Sequence, residues 1–283
     1  MNHPLVTVIC LCYNQSRFVE EAIASVAAQT YPSVELIVVD DCSTDDSADV
    51  IRKIIGNYAN ATFLPLSENH GHTRAFNHAL ASAQGDFIID LAADDVLMPE
   101  RIARGVEALS AAGDAYGVNF TDAEWMSEEG KRLYPHSDRF PHSTIPQGDV
   151  YKDIIERFFI CSPTMMFRRN VIEALGGYDP TLHYEDFDFW VRSARRFHYC
   201  YTPEVLVKKR IVRNSMSDRQ FSLLSPQLRS TYRVCEKILE LNRSPEEHEA
   251  LKRRVLYEMR VSLRLLHLPV FFRYLSLYRR IRR

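Results

Sequence analysis

Residues 5–40, "LVTVICLCYNQSRFVEEAIASVAAQTYPSVELIVVD", place two apolar runs on either side of an amphipathic one. The first run, "LVTVICLC" (5–12), is continuous and rich in β-branched residues, the pattern of a strand buried on both faces. In "RFVEEAIASVAAQ" (17–29), Phe18, Ala22, Val26 and Gln29 recur near helical spacing, with Val19 and Ile23 beside them. "VELIVVD" (34–40) is a second buried strand. Strand, helix and strand in this order form the repeating unit of a parallel sheet.

The alternation continues outward. "SADVIRKIIGNY" (47–58) reads as a helix, with Ser43 and Asp46 spaced as a capping box before it. "ATFLPL" (61–66) is a short strand, and "TRAFNHALASAQ" (73–84) a helix ended by Gly85. "FIIDLAA" (87–93) is a third strong strand, and "MPERIARGVEALSAA" (98–112) a helix with Pro99 in its first turn. The fold class is therefore α/β, a mostly parallel central sheet flanked by helices on both faces. Such sheets bind ligands beyond the carboxyl ends of their strands. The polar clusters "YNQ" (13–15), "DDCSTD" (40–45) and "DD" (94–95) all fall there.

The middle of the chain is less regular. Residues 127–149 are rich in Pro, Ser, Gly and charge and read as a long loop. "YEDFDFWVRSARRF" (184–197) is a helix with Phe187, Trp190, Val191 and Ala194 on one side. "YCYTPEVLVKKRIV" (199–212) is a last strand, and from about residue 220 the pattern is helical. This divides the chain into residues 1–218, with halves 1–112 and 113–218, and a helical C-terminal extension, 219–283.

Bulk properties narrow the classes. Across 283 residues the net charge is -2, so no global field draws the chain to nucleic acid. Hydrophobic content of 46% and charged content of 25% are those of a soluble globular protein. None of the six cysteines forms a CxxC pair, and Cys10 and Cys12 would share one strand face. They read as buried, reduced thiols of a cytoplasmic protein. No stretch has the features of a secretory leader or the ~18 apolar residues of a membrane span.

Asp94 and Asp95 repel one another unless something positive arrives. Mg²⁺ or Mn²⁺ is a natural partner, since both take carboxylate oxygens and share coordination with diphosphates. The competing reading is an acidic helix start. Asp40 and Asp41 form a second acidic pair, able to accept from a ribose hydroxyl or a base N–H. Helix capping accounts for Ser43 and Asp46 better than for Asp41. With no GxGxxG and no GxxxxGK[ST], a Rossmann dinucleotide site or a P-loop is disfavoured, and the missing glycine-rich, basic N-terminal loop disfavours a nucleotidyltransferase.

Residues from "VTVICLCYNQ" to "DDCSTDDS", then "ENHGHTRAFNHALASAQGDFIIDLAADDVLMPERI", resemble the nucleotide-binding half of family-2 inverting glycosyltransferases of the GT-A fold. The resemblance covers about residues 5–112, resumes over 167–195, and is weak over 210–217. It implies that Tyr13 packs on the nucleobase, Asn14 shapes that turn, and Asp41, with Asp40 beside it, accepts from the nucleoside. Gly71 and Asn77 belong to a segment, starting at Asn69, that positions the nucleotide or structures its pocket. Asp94 matches the metal-binding acid of the DxD-type motif, with Asp95 next to it. Glu185 and Asp186 match a Glu-Asp motif whose Asp is the catalytic base.

Two positions depart from the pattern. Ala92 stands where the family's first DxD acid falls, and Val212 where many relatives carry a metal-holding His. Asp90, about 13 Å up the strand from Asp94, is too far to share one ion with it. The implied activity is metal-dependent, inverting transfer of a sugar from a nucleoside-diphosphate sugar, UDP- or dTDP-linked, to a glycan or lipid-linked acceptor. The setting implied is bacterial-type surface polysaccharide or glycoconjugate synthesis. The alternative, motivated by Ala92 and Val212, is a catalytically weak or inactive nucleotide-sugar-binding partner protein.

The tail "SLRLLHLPVFFRYLSLYRRIRR" carries Arg264, Arg273, Arg279, Arg280, Arg282 and Arg283 and no acid. A basic amphipathic end suits an anionic membrane surface at the inner face, as a peripheral contact. It equally suits packing on its own domain or on a second subunit of a homo-oligomer.

Overall fold

The computed structural model describes residues 3–140, 144–213 and 226–281. Arg282, Arg283, residues 214–217 of the weakest resembling stretch, and the 218/219 division lie outside the described residues. Packing separates two units: Met1–Gly148 with Ile160–Tyr178 and Phe197–Ile211, and Asp149–Phe159 with Asp179–Arg196 and Val212–Arg283.

The first unit contains the sheet. Its strands are β1 (Val6–Cys12), β2 (Val34–Asp40), β3 (Ala61–Pro65), β4 (Phe87–Ala92), β5 (Val96–Leu97), β6 (Tyr116–Met126), β7 (Arg132–Pro135), β8 (Met166–Arg168) and β9 (His198–Arg210). The order is β3-β2-β1-β4-β8-β6-β9-β5, with β7 on β6. The first four strands in this order are parallel, as are β6 and β9; β8, β7 and β5 pair antiparallel. The sheet is therefore mixed.

Register positions the site. Cys12 lies opposite Asp40, and Leu11 opposite Ala92, so β1, β2 and β4 end level with one another. The residues that follow each strand emerge together.

Between the strands run α1 (Val19–Ala27), α2 (Ser47–Ile55), α3 (His72–Leu80), α4 (Arg101–Ala112) and, after β8, α6 (Arg169–Leu175). Val6, Val8, Cys10 and Cys12 point to one face, where they pack with Val19, Ile23 and Val26 of α1, Ile51 and Ile54 of α2, and Ile102, Val106 and Leu109 of α4. The thiols of Cys10 and Cys12 share that face, as alternation requires. All six cysteines are free; Cys42 alone is only half-buried.

Three local expectations are corrected. Ser43 does not cap α2: Asp46 precedes the helix and makes no side-chain cap, while the Ser43 hydroxyl accepts from the Asn14 N–H at 2.9 Å. A bond to the neighbouring loop takes the place of the local one. Residues 127–149 are not all loop, since β7 and a short 3₁₀ turn (His136–Arg139) lie within them. The 11-residue β6 has no counterpart in the sequence reading. Its buried Asn119, Thr121 and Asp122 break the apolar signal, and its parallel partner β9 lies about 80 residues on. Asn119 is satisfied by Arg101, itself fully buried, at 3.1 Å and by Thr202 at 3.0 Å.

The second unit is helical: α5 (Tyr151–Glu156), α7 (Glu185–Ala194), α8 (Pro226–Leu241), α9 (Pro245–Arg264) and α10 (Leu268–Ile281). Phe187, Trp190, Val191 and Ala194 are buried as the spacing predicts, but so are Asp188, Phe189 and Ser193, so α7 is buried on most of its circumference. The Arg254 guanidinium of α9 lies 4.1 Å from the centre of the Phe158 ring and donates to the Ile155 carbonyl at 2.8 Å and to Glu258 at 3.3 Å. A capping box, Ser244 with Glu247, starts α9. Among the described residues no helix is long and apolar enough to cross a membrane.

Candidate functional site

Beyond β1, Tyr13 is 47% exposed, its ring available for stacking. Asn14 follows in the left-handed region, at φ 55°, a conformation Asn tolerates because its short side chain bonds locally. Its side-chain oxygen accepts from the Thr44 N–H at 2.7 Å and the Thr44 hydroxyl at 3.2 Å. The Gln15 N–H donates to the Ser47 hydroxyl at 2.9 Å. These bonds clamp the loops after β1 and β2 to each other.

The second acidic pair splits its work. Asp40 is buried; its Oδ2 accepts from the Ser43 N–H at 3.1 Å, and its Oδ1 is buried with no hydrogen-bond partner. Asp41 accepts two backbone N–H groups at 2.8 Å, His70 on one oxygen and Gly71 on the other. That carboxylate fixes the turn into α3, where Gly71 sits at φ 77°. Each oxygen of a carboxylate keeps a second lone pair for a ligand N–H.

Asn77, on α3, spends both ends of its amide on one residue. It donates to the Tyr178 carbonyl at 2.8 Å and accepts from the Tyr178 N–H at 2.9 Å. A Cβ on Gly177, at φ 87°, would lie 2.6 Å from the Asn77 oxygen. The amide therefore holds the 176–178 turn against α3.

Asp94 and Asp95 receive a positive charge that no neighbour in sequence supplies. Asp95 is buried, and its Oδ1 accepts from the Arg210 N–H at 2.9 Å. The Arg210 guanidinium donates to the Asp94 carbonyl at 3.0 Å, the Glu128 carbonyl at 3.0 Å and the Glu21 carboxylate, and lies over the Phe18 ring. Burial raises the Asp94 carboxyl above its usual range, against the pull of Lys209 and Arg210. Burial and the Asp94 charge together push Asp95 up to about 7. Removal from water outweighs the two cations, so the pair holds its negative charge at a cost.

Asp90 pairs with His72 of α3, Nε2 to Oδ2 at 3.0 Å. The His72 ring in turn lowers the proton affinity of Asp94, so its field reaches the acid pair. Gln15 brings its amide within 3.5 Å of Asp94.

The donor set can be weighed for a hard divalent cation. Among the described residues no group of three or more His, Cys, Asp or Glu is disposed to hold one. Asp95 is committed to the Arg210 backbone. Asp94 offers carboxylate oxygens in a half-buried position where ionisation is disfavoured until a cation arrives. The residues fit an ion held through Asp94 with oxygens of a bound diphosphate and water, the usual habit of Mg²⁺.

In the second unit, Glu185 and Asp186 open α7; Glu185 is buried and Asp186 half-buried. Burial raises the Tyr184 phenol, and the Asp186 charge raises it further, while Arg254 opposes both.

Sequence reasoning missed His72 as the partner of Asp90, and Lys209 and Arg210 as the cations near the acid pair. Their only signal in the chain is "KKR" (208–210), more than 110 residues from Asp95.

The family model for glycosyl transferase family 2 matches residues 7–176. The chain is 30% identical over 221 residues to the putative teichuronic acid biosynthesis glycosyltransferase TuaG of Bacillus subtilis, covering 77% of this chain and 83% of that protein. It is 31% identical over 145 residues to the succinoglycan biosynthesis protein ExoO of Rhizobium meliloti, 50% of this chain and 41% of that one. Among solved structures it resembles the mannosyltransferase PcManGT of Pyrobaculum calidifontis, in complex with GDP-Man and Mn²⁺, at TM-score 0.66 and 18% identity, covering 100% of this chain and 83% of that one. It also resembles S. aureus TarS in complex with UDP-GlcNAc, at TM-score 0.66 and 19% identity, covering 98% and 90%.

Proposed function

The chain belongs to glycosyl transferase family 2, with the GT-A fold, and on that premise we propose that it transfers a sugar, with inversion, from a nucleoside-diphosphate sugar to an acceptor hydroxyl. One observation carries this reading. Asp40 ends one of three strands that finish level, and Tyr13, Asp41 and Asp94 follow them, with the loops after β1 and β2 clamped together by Asn14. The strand order β2-β1-β4 thus sets acceptors for a nucleoside and an exposed ring on one side, and an acid for the diphosphate on the other.

Each residue then has a role. Tyr13 stacks on the base. Asp41, and Asp40 through its unpartnered oxygen, accept from base or ribose. Gly71 and Asn77 act through shape, by setting the turn before α3 and the turn at 176–178. Asp94 is the cation ligand, and Asp95 flanks it while holding the end of β9. Mg²⁺ or Mn²⁺, when bound, neutralises charge on the departing diphosphate.

Inversion needs one base and one leaving group. Asp186 takes the proton of the acceptor hydroxyl, with Glu185 beside it. The freed oxygen forms a bond to the anomeric carbon as the bond from that carbon to the diphosphate oxygen breaks, and the electron pair leaves with the nucleoside diphosphate. A UDP- or dTDP-linked donor is the proposed class, with a glycan or lipid-linked acceptor. The relatives named for teichuronic acid and succinoglycan synthesis support surface polysaccharide formation as the setting.

A second reading is a nucleotide-sugar-binding partner protein without turnover, favoured by Ala92 and Val212 at two metal-associated positions. One experiment separates them. Nucleoside diphosphate release is measured from a panel of nucleotide sugars with Mn²⁺ or Mg²⁺ for the wild type and Asp186→Asn. The proposal expects release from at least one donor, reduced 10²-fold or more by the substitution, a typical general-base effect. Donor binding with no release supports the second reading. Release that Asp186→Asn leaves unchanged removes Asp186 as base.

A further inference from the structure

After Glu258 the chain contains no Asp or Glu through residue 283. This acid-free stretch includes the last turns of α9, residues 259–264, the turn 265–267 and α10. The turn is where its apolar residues face water. Leu266 is 72% exposed, Phe272 62%, Leu268 52% and Leu263 45%. The inner sides of the same helices are buried through Val255, Ser262, Val270, Tyr274 and Leu277, so the exposed residues are not left over from core packing.

Helical geometry gathers the exposed set. Leu256, Arg260, Leu263 and Arg264 fall within one stripe of α9, at spacings of three, four and seven residues. Leu268 and Phe272 share a stripe of α10, with Arg273 and Arg279 near it. Arg260, Arg264, Arg273 and Arg279 are all exposed. An apolar tip is thus bordered by guanidinium groups and by no carboxylate of its own stretch.

Leu266 adds an independent sign. Its backbone lies at φ 55°, in the left-handed region that favours Gly or Asn at a helix end. A branched apolar residue there carries a steric cost in addition to its exposure to water. Two backbone bonds close the helix around it, Leu266 N–H to the Leu263 carbonyl at 3.0 Å and His267 N–H to the Ser262 carbonyl at 2.8 Å, and they fix the exposed side chain at the tip. A large apolar residue held exposed at a helix end, where Gly or Asn would serve, marks a contact surface.

We propose that the α9–α10 turn docks on an anionic phospholipid surface. Leu263, Leu266, Leu268 and Phe272 enter the acyl boundary, and Arg260, Arg264, Arg273 and Arg279 meet lipid phosphates. Charge chooses this occupant over a second copy of the chain. Two such faces would set Arg against Arg, whereas the headgroups of an anionic leaflet complement them. This inference does not rest on the sugar-transfer reading, because the contact needs neither donor nor acceptor.

Vesicle co-sedimentation tests it, with the full chain and no nucleotide present. Vesicles of equal parts phosphatidylglycerol and phosphatidylcholine are expected to pellet the protein at low salt, and pure phosphatidylcholine vesicles to leave it in solution. Leu266→Ser with Phe272→Ser is expected to weaken binding at least about tenfold, and Arg260→Ser with Arg264→Ser by a similar factor or more. All four side chains are exposed, so thermal midpoints stay at the wild-type value. No wild-type binding to the anionic vesicles, or equal binding to both vesicle types, overturns the proposal. So does a lipid-free dimer, seen in sedimentation velocity, that Leu266→Ser with Phe272→Ser dissolves.

Discussion

Asp94 and Asp95 carry different loads although they are neighbours. Asp95 accepts the Arg210 N–H and is raised by burial and by the charge of Asp94. A carboxyl whose folded value, about 7, lies above its ordinary 3.8 favours the folded state fully only below 3.8. That contribution is lost as the pH rises to about 7, because the fold then holds a charge that water would hold better. Asp95→Asn keeps an acceptor for Arg210 and removes the charge. It is therefore expected to stabilise the cation-free protein at pH 8, by on the order of 2 kcal/mol, and so raise its thermal midpoint, with the gap narrower at pH 5. Thermal melts at the two values check this. Asp94→Asn is expected to relieve the same repulsion but to lose the stabilisation that Mn²⁺ with a nucleoside diphosphate gives the wild type.

At the scale of elements, bonds between segments decide what local pattern leaves undetermined. The helices α1 to α4 and the strands β1 to β4 follow periodicity closely, because each buries a face or stripe against its sequence neighbour. β6 does not, because its inward Asn119 is made tolerable by Arg101 of α4 and Thr202 of β9. The capping box at Ser43 fails for the same reason: the loop after β1 competes for that hydroxyl and wins. The turn at 176–178 is the sharpest case. Gly177→Ala would drive a Cβ to 2.6 Å from the Asn77 oxygen at a φ of 87°. A loss of about 2–3 kcal/mol is expected in denaturant unfolding, from strain and the broken Asn77 amide pair. Nucleotide affinity should fall with it if α3 is set by that pair.

For the whole molecule, ligand linkage offers the broadest check. A nucleoside diphosphate bound only by the folded chain stabilises it by about 2.7 kcal/mol at a hundred times its dissociation constant. Added with Mn²⁺, UDP, dTDP or GDP should therefore raise the thermal midpoint, and a chelator should reverse most of the gain. No rise with any of the three would remove the nucleotide site proposed at the ends of β1, β2 and β4.

The α/β alternation, the acids at the strand ends and the absence of acids after Glu258 are all legible in the linear chain. Each is written in neighbouring residues, where spacing and side-chain chemistry act directly. It also carried the family resemblance, which the model match over residues 7–176 bears out. Folding in three dimensions was needed to bring β1, β2 and β4 to one level, to set Asp41 on the turn into α3, and to bring Lys209 and Arg210 to an acid pair with no local cation. It alone decided that Leu266 and Phe272 face water while Val270 and Tyr274 do not. Register, burial and the meeting of charges far apart in the chain arise from packing, and no local pattern of residues encodes them.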